Sequence, residues 1–201
     1  LAPWHKELLW SLSKGVAVYG AASLGALRAA ELDSFGMIGV GEVYEHFRTG
    51  ELEDDDEVAV VHQAADRNYQ VTSDAMVNIR ATLRAARLGG SIDSVTESAI
   101  ICAAKTRFYP DRSLDRAIEE ASKTLGTHVN PLRRWLIEHG SIDQKRADCE
   151  ALFARIEADR TRSDRPPRKH SFHFERTHFF DVLQSNVDGT DAGASSEALR
   201  R

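Results

Sequence analysis

The chain has 201 residues, of which 42% are hydrophobic and 28% are charged, as is typical of a soluble globular protein with one domain or one domain and an appendage. Its net charge of -5 gives no support for nucleic-acid binding as the main role. No apolar run is long enough to span a bilayer and no signal-peptide core is present, so we expect no membrane partner. The two cysteines, Cys102 and Cys149, match neither a disulfide framework nor a metal-ligand spacing, which favours a reducing, cytoplasmic location.

The first predicted element is a helix near the start of the chain. Trp4, Leu8 and Leu12 fall at helical spacing and predict one buried face, and Gly15 ends the helix. A domain of the α/β type normally opens on a strand. We therefore expect that one or more N-terminal strands are missing from this chain.

The next stretch predicts a strand, a tight turn and a helix. Residues 16–19 are apolar or aromatic, as in a buried strand, and residues 26–32 are rich in Ala and Leu, as in a helix. This arrangement directs backbone N–H groups and the helix dipole at an anion or an oxyanion. Ser23, with Ala21 two residues before it and Gly25 two after it, is close to the G-x-S-x-G elbow of serine hydrolases. The alternative is that Ser23 is an ordinary helix N-cap.

A glycine-rich loop is predicted over residues 33–41, followed by a short helix over residues 42–48 that Gly50 ends. The loop lacks the lysine of a P-loop and the third glycine of a dinucleotide fingerprint. Its glycines are better explained by turns or close packing than by phosphate binding.

Residues 51–57 hold six carboxylates, and the apolar residues 58–61 after them predict a second buried strand. Most acids in such a run are solvated. Asp55, Asp56 and Glu57 adjoin the predicted strand, so they are the ones we expect in a cleft, with a raised pKa or a cationic partner. A hard metal such as Mg²⁺ is chemically reasonable there, but the spacing does not require one.

The remainder of the chain is predicted to be helical. Ser73 is expected to cap a helix over residues 74–88 whose apolar stripe is Met76, Ile79, Leu83 and Ala86. Four further helices are predicted over residues 94–106, 113–125, 131–138 and 143–162, followed by a basic linker over residues 160–169 and a possible edge strand over residues 171–176.

We therefore expect an α/β fold, with a Rossmann-like parallel sheet and flanking helices followed by a mostly helical C-terminal half. The predicted organisation is an α/β core over residues 1–90, a helical region over 91–162, a linker with the edge strand over 163–187 and a flexible tail over 188–201.

Five motifs in this order resemble the TfuA-like proteins. They are WHKELL at residues 4–9, YGAASLGALRAAEL at 19–32, FGMIGVGEVY at 35–44, DDDEVAVVH at 54–62 and VNIRATL at 77–83. The chain departs from the family pattern at Ala22 and Leu24, where Ser or Asn and Met are common, and we expect the N-terminal strand region that is typical of the family to be missing from it.

The resemblance implies a role beside a YcaO enzyme in backbone thioamidation, as in the maturation of ribosomally made peptides or of methyl-coenzyme M reductase. YcaO activates the amide oxygen with ATP. The TfuA-like partner is implied to hydrolyse the C-terminal thiocarboxylate of a ubiquitin-like sulfur carrier, which releases sulfide, and to help YcaO hold its precursor peptide or protein substrate. No cofactor of the chain itself is implied beyond a possible Mg²⁺.

Hydrolysis of a thiocarboxylate requires a nucleophile, a base and an oxyanion hole. Our hypothesis makes Ser23 the nucleophile or the residue that positions water. The other candidates are His5 or His62 as base, Asp55 or Asp56 to orient the histidine or water, Leu24 and Gly25 as oxyanion donors through their N–H groups, and Arg28 with Glu31 at the substrate. Each has a simpler alternative: Arg28 and Glu31 could be a surface pair, His5 a cap, and His62 an ordinary histidine at a strand end.

Two other functions stay open on the sequence. The protein could be a non-catalytic adaptor, whose acidic loop and helical C-terminal half clamp YcaO or its peptide. A nucleotide-binding α/β protein is the weaker alternative, because no phosphate-binding fingerprint is intact.

Overall fold

A computed structural model of the chain describes residues 4–161, 172–178, 180–182 and 184–185. The chain divides into two compact units, one formed by Leu1–Val18 with Pro166–Arg201 and the other by Tyr19–Arg165. The predicted tail and residues 162–169 of the predicted linker lie outside the described residues.

The first unit contains helix α1, His5–Ser13, which confirms the predicted N-terminal helix. The Glu7 carboxylate accepts the backbone N–H of Trp4 at 3.0 Å, and this bond satisfies one of the free donors at the helix start. Leu12 is fully buried. Lys6 Nζ donates to the carbonyl oxygen of Glu175 at 2.8 Å and ties α1 to the C-terminal segment of the same unit.

The predicted edge strand at residues 171–176 is wrong over the described residues 172–176, which form no strand. The alternation that suggested it is real, since Phe172 and Phe174 are half-buried while His173 and Glu175 are exposed. Within this unit the Phe174 ring packs edge-on against Phe180, with 5.3 Å between centroids. The Phe174 side chain therefore packs against another ring, and no strand of the described chain pairs with the backbone of residues 172–176.

The second unit begins with a small parallel sheet. Strand β1, Tyr19–Ala21, pairs with strand β2, Ile38–Val40, in the register Tyr19 to Ile38 and Ala21 to Val40. Helix α2, Leu24–Leu32, connects the two strands and packs on both of them. The second strand was missed, because its residues were assigned to a glycine-rich loop.

The first strand begins at Tyr19, three residues later than predicted, and continues through Gly20. A Cβ atom at Gly20 would lie 2.0 Å from the carbonyl oxygen of Gly25, so the glycine allows α2 to approach the strand. Gly39 in β2 likewise allows a close contact, since a Cβ atom there would lie 2.1 Å from the ring of Tyr44. These glycines are part of the sheet because of close packing and do not break it.

Helix α3, Glu42–Thr49, is confirmed, and Gly50 ends it in the left-handed conformation with φ of 76°. The strand predicted over residues 58–61 is wrong. Its backbone groups bond elsewhere: the hydroxyl oxygen of Ser73 accepts the N–H of Val61 at 2.9 Å, and a single antiparallel bridge joins His62 to Val71. Val58 is nevertheless buried, as its apolar run suggested.

Helix α4 is Met76–Leu88, and the predicted stripe of Met76, Ile79, Leu83 and Ala86 is buried. Its start was predicted two residues too early. Ser73 bonds to Val61 and does not cap the helix, and the Asp74 carboxylate accepts the N–H of Leu114 at 2.8 Å. Ser73 and Asp74 therefore accept hydrogen bonds from the segments at Val61 and Leu114, and neither caps α4.

The four C-terminal helices are confirmed. They are α5, Ser94–Lys105; α6, Leu114–Leu125; α7, Asn130–His139; and α8, Gln144–Thr161. Helices α4, α5, α6 and α7 share one hydrophobic core, and a smaller core lies between α2, α3 and the start of α4. The fold is a mixed α/β structure with a two-stranded parallel sheet and mostly helical content.

Candidate functional site

The carboxyl edge of the sheet is the candidate ligand-binding site. Because β1 and β2 are parallel, both strands end at this edge, and the chain enters a helix directly after each of them: α2 after β1 and α3 after β2. Ligands of α/β sheets bind at such edges, where helix N-termini offer free N–H groups.

The turn between β1 and α2 is strained. Ala22 has φ of 66°, and the N–H of Ser23 donates to the carbonyl oxygen of Ala21 at 2.7 Å. This bond closes a γ-turn around a residue in the left-handed region, which is rare for a residue with a side chain. The surrounding structure therefore holds Ala22, the residue before Ser23, in a costly conformation, as is common at functional sites.

Ser23 occupies the N-cap position of α2, but its side chain makes no capping hydrogen bond. Its backbone carbonyl oxygen accepts the N–H of Ala26 at 2.8 Å. Within the described part of the chain, no backbone acceptor bonds the N–H groups of Leu24 and Gly25. The turn thus combines a half-buried hydroxyl with two helix N-terminal donors.

Arg28 lies about one and a half turns further along α2. Its Nη1 donates to Glu31 at 2.6 Å, and its side chain is 19% exposed. The Nε atom is buried and has no hydrogen-bond partner among the described residues. The pair predicted between Arg28 and Glu31 is present, and the Nε–H of the guanidinium is not used by the pair.

The N-terminus of α3 is occupied by a carboxylate from a distant part of the chain. Asp148, in α8, accepts the N–H of Glu42 at 3.0 Å and that of Val43 at 2.9 Å. Asp148 is only 2% exposed. Gly41 has φ of 97°, and a Cβ there would lie 2.3 Å from the carboxylate carbon. The absence of a side chain at Gly41 is what lets Asp148 cap the helix.

The acidic segment, residues 54–57, is held by three cations. Asp56 accepts a hydrogen bond from Arg112 at 2.6 Å and another from Lys105. Glu57 accepts two bonds of 2.9 Å from Arg80 and pairs with Lys105 at 2.9 Å. Of the three acids expected in a cleft with a raised pKa or a cationic partner, Asp56 and Glu57 have cationic partners, whereas Asp55 is exposed.

These partners set the ionisation of the network. Burial opposes the charged forms of Asp56 and Glu57, but the hydrogen bonds from Lys105, Arg112 and Arg80 outweigh it and lower the pKa of both carboxyls. Burial acts to lower the pKa of Lys105, and its bonds to the acidic segment reverse this and raise it. Asp56, Glu57 and Lys105 are therefore charged at neutral pH.

A model of the family described as TfuA-like protein matches residues 1–113, more than half of the chain. The chain belongs to the TfuA-like family. A comparison with curated proteins gives no match. The matched part of this TfuA-like protein includes the Ser23 turn, Arg28 and the acidic segment, whereas α8 with Asp148 lies beyond it.

The remaining predicted residues of the TfuA-like protein are Asp55, His62 and His5. Asp55 is exposed at the start of a short 3-10 turn. His62 is exposed, with Nδ1 3.1 Å from the carbonyl oxygen of Gln63 and its ring edge-on to Tyr69. His5 is the first residue of α1 in the other unit. No described hydrogen bond links Ser23 to a histidine or to the acidic segment, so its base stays a prediction.

Sequence reasoning missed Asp148, which is the carboxylate that the fold brings to the carboxyl edge. The only local signal was Gly41, which starts α3 without a side chain that could cap it. Among the described residues, no group of three or more His, Cys, Asp or Glu side chains is placed to hold a metal ion. None of the described helices has the length and apolar composition that a bilayer crossing requires.

Proposed function

We propose that this TfuA-like protein hydrolyses the C-terminal thiocarboxylate of a ubiquitin-like sulfur carrier and delivers the sulfide to a partner YcaO enzyme in the cytoplasm. Family membership supports a role in thioamidation beside YcaO. The observation that carries the hydrolytic step is the Ser23 hydroxyl, which stands at a strained helix start without a capping bond. In this proposal β1 and β2 belong to a Rossmann-like sheet.

The proposed chemistry has two steps. The Ser23 oxygen attacks the carbonyl carbon of the thiocarboxylate, the C–S bond breaks, and hydrosulfide leaves as an ester forms on Ser23. Water then hydrolyses that ester to a carboxylate and restores the hydroxyl. In the variant of this scheme without a covalent intermediate, Ser23 positions the water that attacks. His5 or His62 takes the proton in either case.

Two sets of groups at the start of α2 suit this chemistry. In this proposal the N–H groups of Leu24 and Gly25 donate to the negative oxygen that develops, and the positive end of the α2 dipole adds to their effect. Arg28, which is largely buried and has an unused Nε donor, would bind the anionic end group of the carrier. The scheme uses no cofactor, and ATP is consumed by YcaO.

The direct test uses a thiocarboxylated carrier incubated with this protein alone and followed by mass spectrometry. Replacement of sulfur by oxygen in the carrier is the expected result. We expect Ser23→Ala to lower kcat/KM by about 100-fold or more. The matched control is Ser34→Ala, an exposed serine eleven positions later, which should keep wild-type turnover. Equal turnover in Ser23→Ala and the wild type would contradict the proposal.

A second candidate function, an adaptor that holds YcaO or its peptide, is supported by a groove of about 320 Å³ in the second unit. Helix α4 lines it with three arginines, each paired with a glutamate: Arg80 with Glu57, Arg84 with Glu42 and Arg87 with Glu97. Apolar side chains from α3, α4 and α5 also line it, and this mixture suits an extended peptide.

A thioamidation assay in which YcaO is supplied with free sulfide distinguishes the hydrolase from the adaptor. If the protein is an adaptor, the Ser23→Ala variant should still stimulate thioamidation by YcaO, whereas the Arg84→Glu variant should not. A hydrolase without adaptor activity would give no stimulation in either form, because the sulfide that it produces is already present.

A further inference from the structure

Helix α8 is docked in an unusual way. It packs on β1, β2, α3 and α4 within the second unit, yet the side chains that it buries are Asp148 and Asp159. Two of its large apolar residues point outward, with Phe153 69% and Ile156 36% exposed. A helix that belongs to a permanent core normally buries its apolar stripe and exposes its charges.

The first turn of α8 and the residues before it are attached to α4 by polar contacts. Asn78 Nδ2 donates to Asp143 at 3.0 Å and Asn78 Oδ1 accepts the N–H of Lys145 at 3.2 Å. The Thr82 hydroxyl oxygen accepts the N–H of Ile142 at 2.9 Å. Lys145 Nζ also donates to the carbonyl oxygen of Val58 at 2.8 Å.

The two buried aspartates fix α8 at opposite ends of the sheet. Asp148 caps α3, which follows the carboxyl end of β2, and it also accepts Gln144 Nε2 at 2.8 Å. Asp159 accepts the hydroxyl of Tyr19, the first residue of β1, at 2.7 Å. The helix therefore runs along the sheet from its carboxyl edge to its amino edge.

Such docking costs less to undo than apolar docking of the same extent. Each polar group that leaves its partner bonds to water instead, so the net contribution of the contact is small, whereas a buried apolar face could not be released so easily. Segments held in this way open locally without unfolding of the rest of the domain. Release of Asp148 would uncover the start of α3, beside the Ser23 turn.

We propose that α8 is a releasable strap, and that its detachment at Asp148 opens the carboxyl edge of the sheet to the tail of the sulfur carrier. The part of this inference that concerns the carrier rests on the proposed hydrolytic function. The strap itself rests on the buried aspartates and the outward apolar residues. Gln144 also lines the groove beside α4, so release of the strap removes one wall of that groove.

Hydrogen exchange of the full chain tests the strap without any substrate. We expect Asp148→Ala to speed exchange of the α8 amides about 10-fold or more, while the amides of α5 and α6 keep their wild-type rates. Glu150→Gln is the control, because Glu150 pairs with Arg146 on the exposed side of α8. Unchanged exchange in α8, or equal acceleration in α8, α5 and α6, would overturn the strap.

Hydrogen exchange of the Asp159→Asn variant tests the attachment at the C-terminal end of α8 independently. It weakens the bond to Tyr19 but keeps the cap on α3, so exchange should rise in the last turns of α8 alone. If the whole second unit exchanged faster instead, α8 would be part of its core and the strap would be wrong.

Turnover of the thiocarboxylated carrier then tests the gating. We expect Asp148→Ala to lower KM about 3-fold or more with kcat preserved, since an open edge binds the tail more readily. A loss of kcat, or an unchanged KM, would contradict gating by Asp148. If the wild-type protein showed no turnover, the hydrolytic function and the gating would both fail, and hydrogen exchange would still decide whether α8 is releasable.

Discussion

The buried guanidinium of Arg112 and the carboxylate of Asp56 form an ion pair of 2.6 Å across 56 positions of the sequence. Arg112 is 1% exposed and also donates to the carbonyl oxygens of Asp56, Ala104 and Arg107. One side chain thus joins the acidic segment to the end of α5. The acidic segment has a structural role through this pair.

Replacing Arg112 should be strongly destabilising. We expect Arg112→Met to lower the free energy of unfolding by about 3–5 kcal/mol, because it leaves a carboxylate and three carbonyl groups without their donor. Arg107→Ala is the control, since its pair with Glu120 is long, at 3.7 Å, and should cost less than about 1 kcal/mol. Urea denaturation measures both. A loss in Arg112→Met no larger than that of the control would contradict the role assigned to Arg112.

The acidic segment should also make stability depend on pH. The folded protein lowers the pKa of Asp56 and Glu57 below their ordinary values of 3.8 and 4.5. A group with a lowered folded pKa stabilises the protein above its unfolded pKa, and this stabilisation disappears as the pH falls through the folded pKa.

We therefore expect the free energy of unfolding to fall as the pH drops below about 4.5. Urea titrations at about pH 5 and about pH 3 measure the slope. Glu57→Gln removes one titrating group and should give a shallower slope, whereas Glu150→Gln, at an exposed pair, should keep the wild-type slope. Identical slopes in all three proteins would show that Glu57 has an ordinary pKa in the folded state.

The strain at the Ser23 turn can be measured by relieving it. Ala22 is buried with φ of 66°, a region that costs a residue with a Cβ about 1–2 kcal/mol. Ala22→Gly should raise the free energy of unfolding by about 0.5–1 kcal/mol after the entropic cost of glycine. Ala29→Gly, at a buried position in the middle of α2, should lower it. Destabilisation by Ala22→Gly would mean that the turn is not strained.

The approach of α2 to β1 depends on Gly20. We expect Gly20→Ala to lower the free energy of unfolding by about 3 kcal/mol, because the new Cβ meets the backbone carbonyl of Gly25 and neither group has a flexible side chain that can move away. Gly25→Ala is the matched control, as its Cβ would have 3.6 Å to the nearest atom; it should change stability by less than about 1 kcal/mol. Equal effects of the two substitutions would contradict the packing seen at Gly20.

Local patterns in the sequence were enough to find the helices and the Ser23 turn. The spacing of Met76, Ile79 and Leu83 places them on one face of a helix, and this face is buried wherever the helix packs. Gly50 ends α3 because the left-handed conformation is accessible to glycine. Ser23 was identified from its neighbours at two positions on either side, and the structure places it at the start of α2.

Patterns failed where a residue serves a partner far away in the chain. Gly20 and Gly39 suggest turns when only their neighbours are considered, but they lie in strands because another element approaches them closely. Residues 58–61 have the composition of a strand, yet no strand of the described residues pairs with them, and their backbone groups bond to Ser73 and Lys145. A strand forms only when a second strand pairs with it, and the composition of one segment does not show whether such a partner exists.

Residue patterns were sufficient to identify the family, the helical segments and the serine turn, because each depends on residues within a few positions of one another. The contacts between residues far apart in the chain came from the tertiary structure alone. It brought Asp148 to α3 across 105 positions and gave the acidic segment its partners Lys105, Arg112 and Arg80. These contacts form only when distant parts of the chain come together on folding. A charged residue in the sequence does not show which distant group will pair with it.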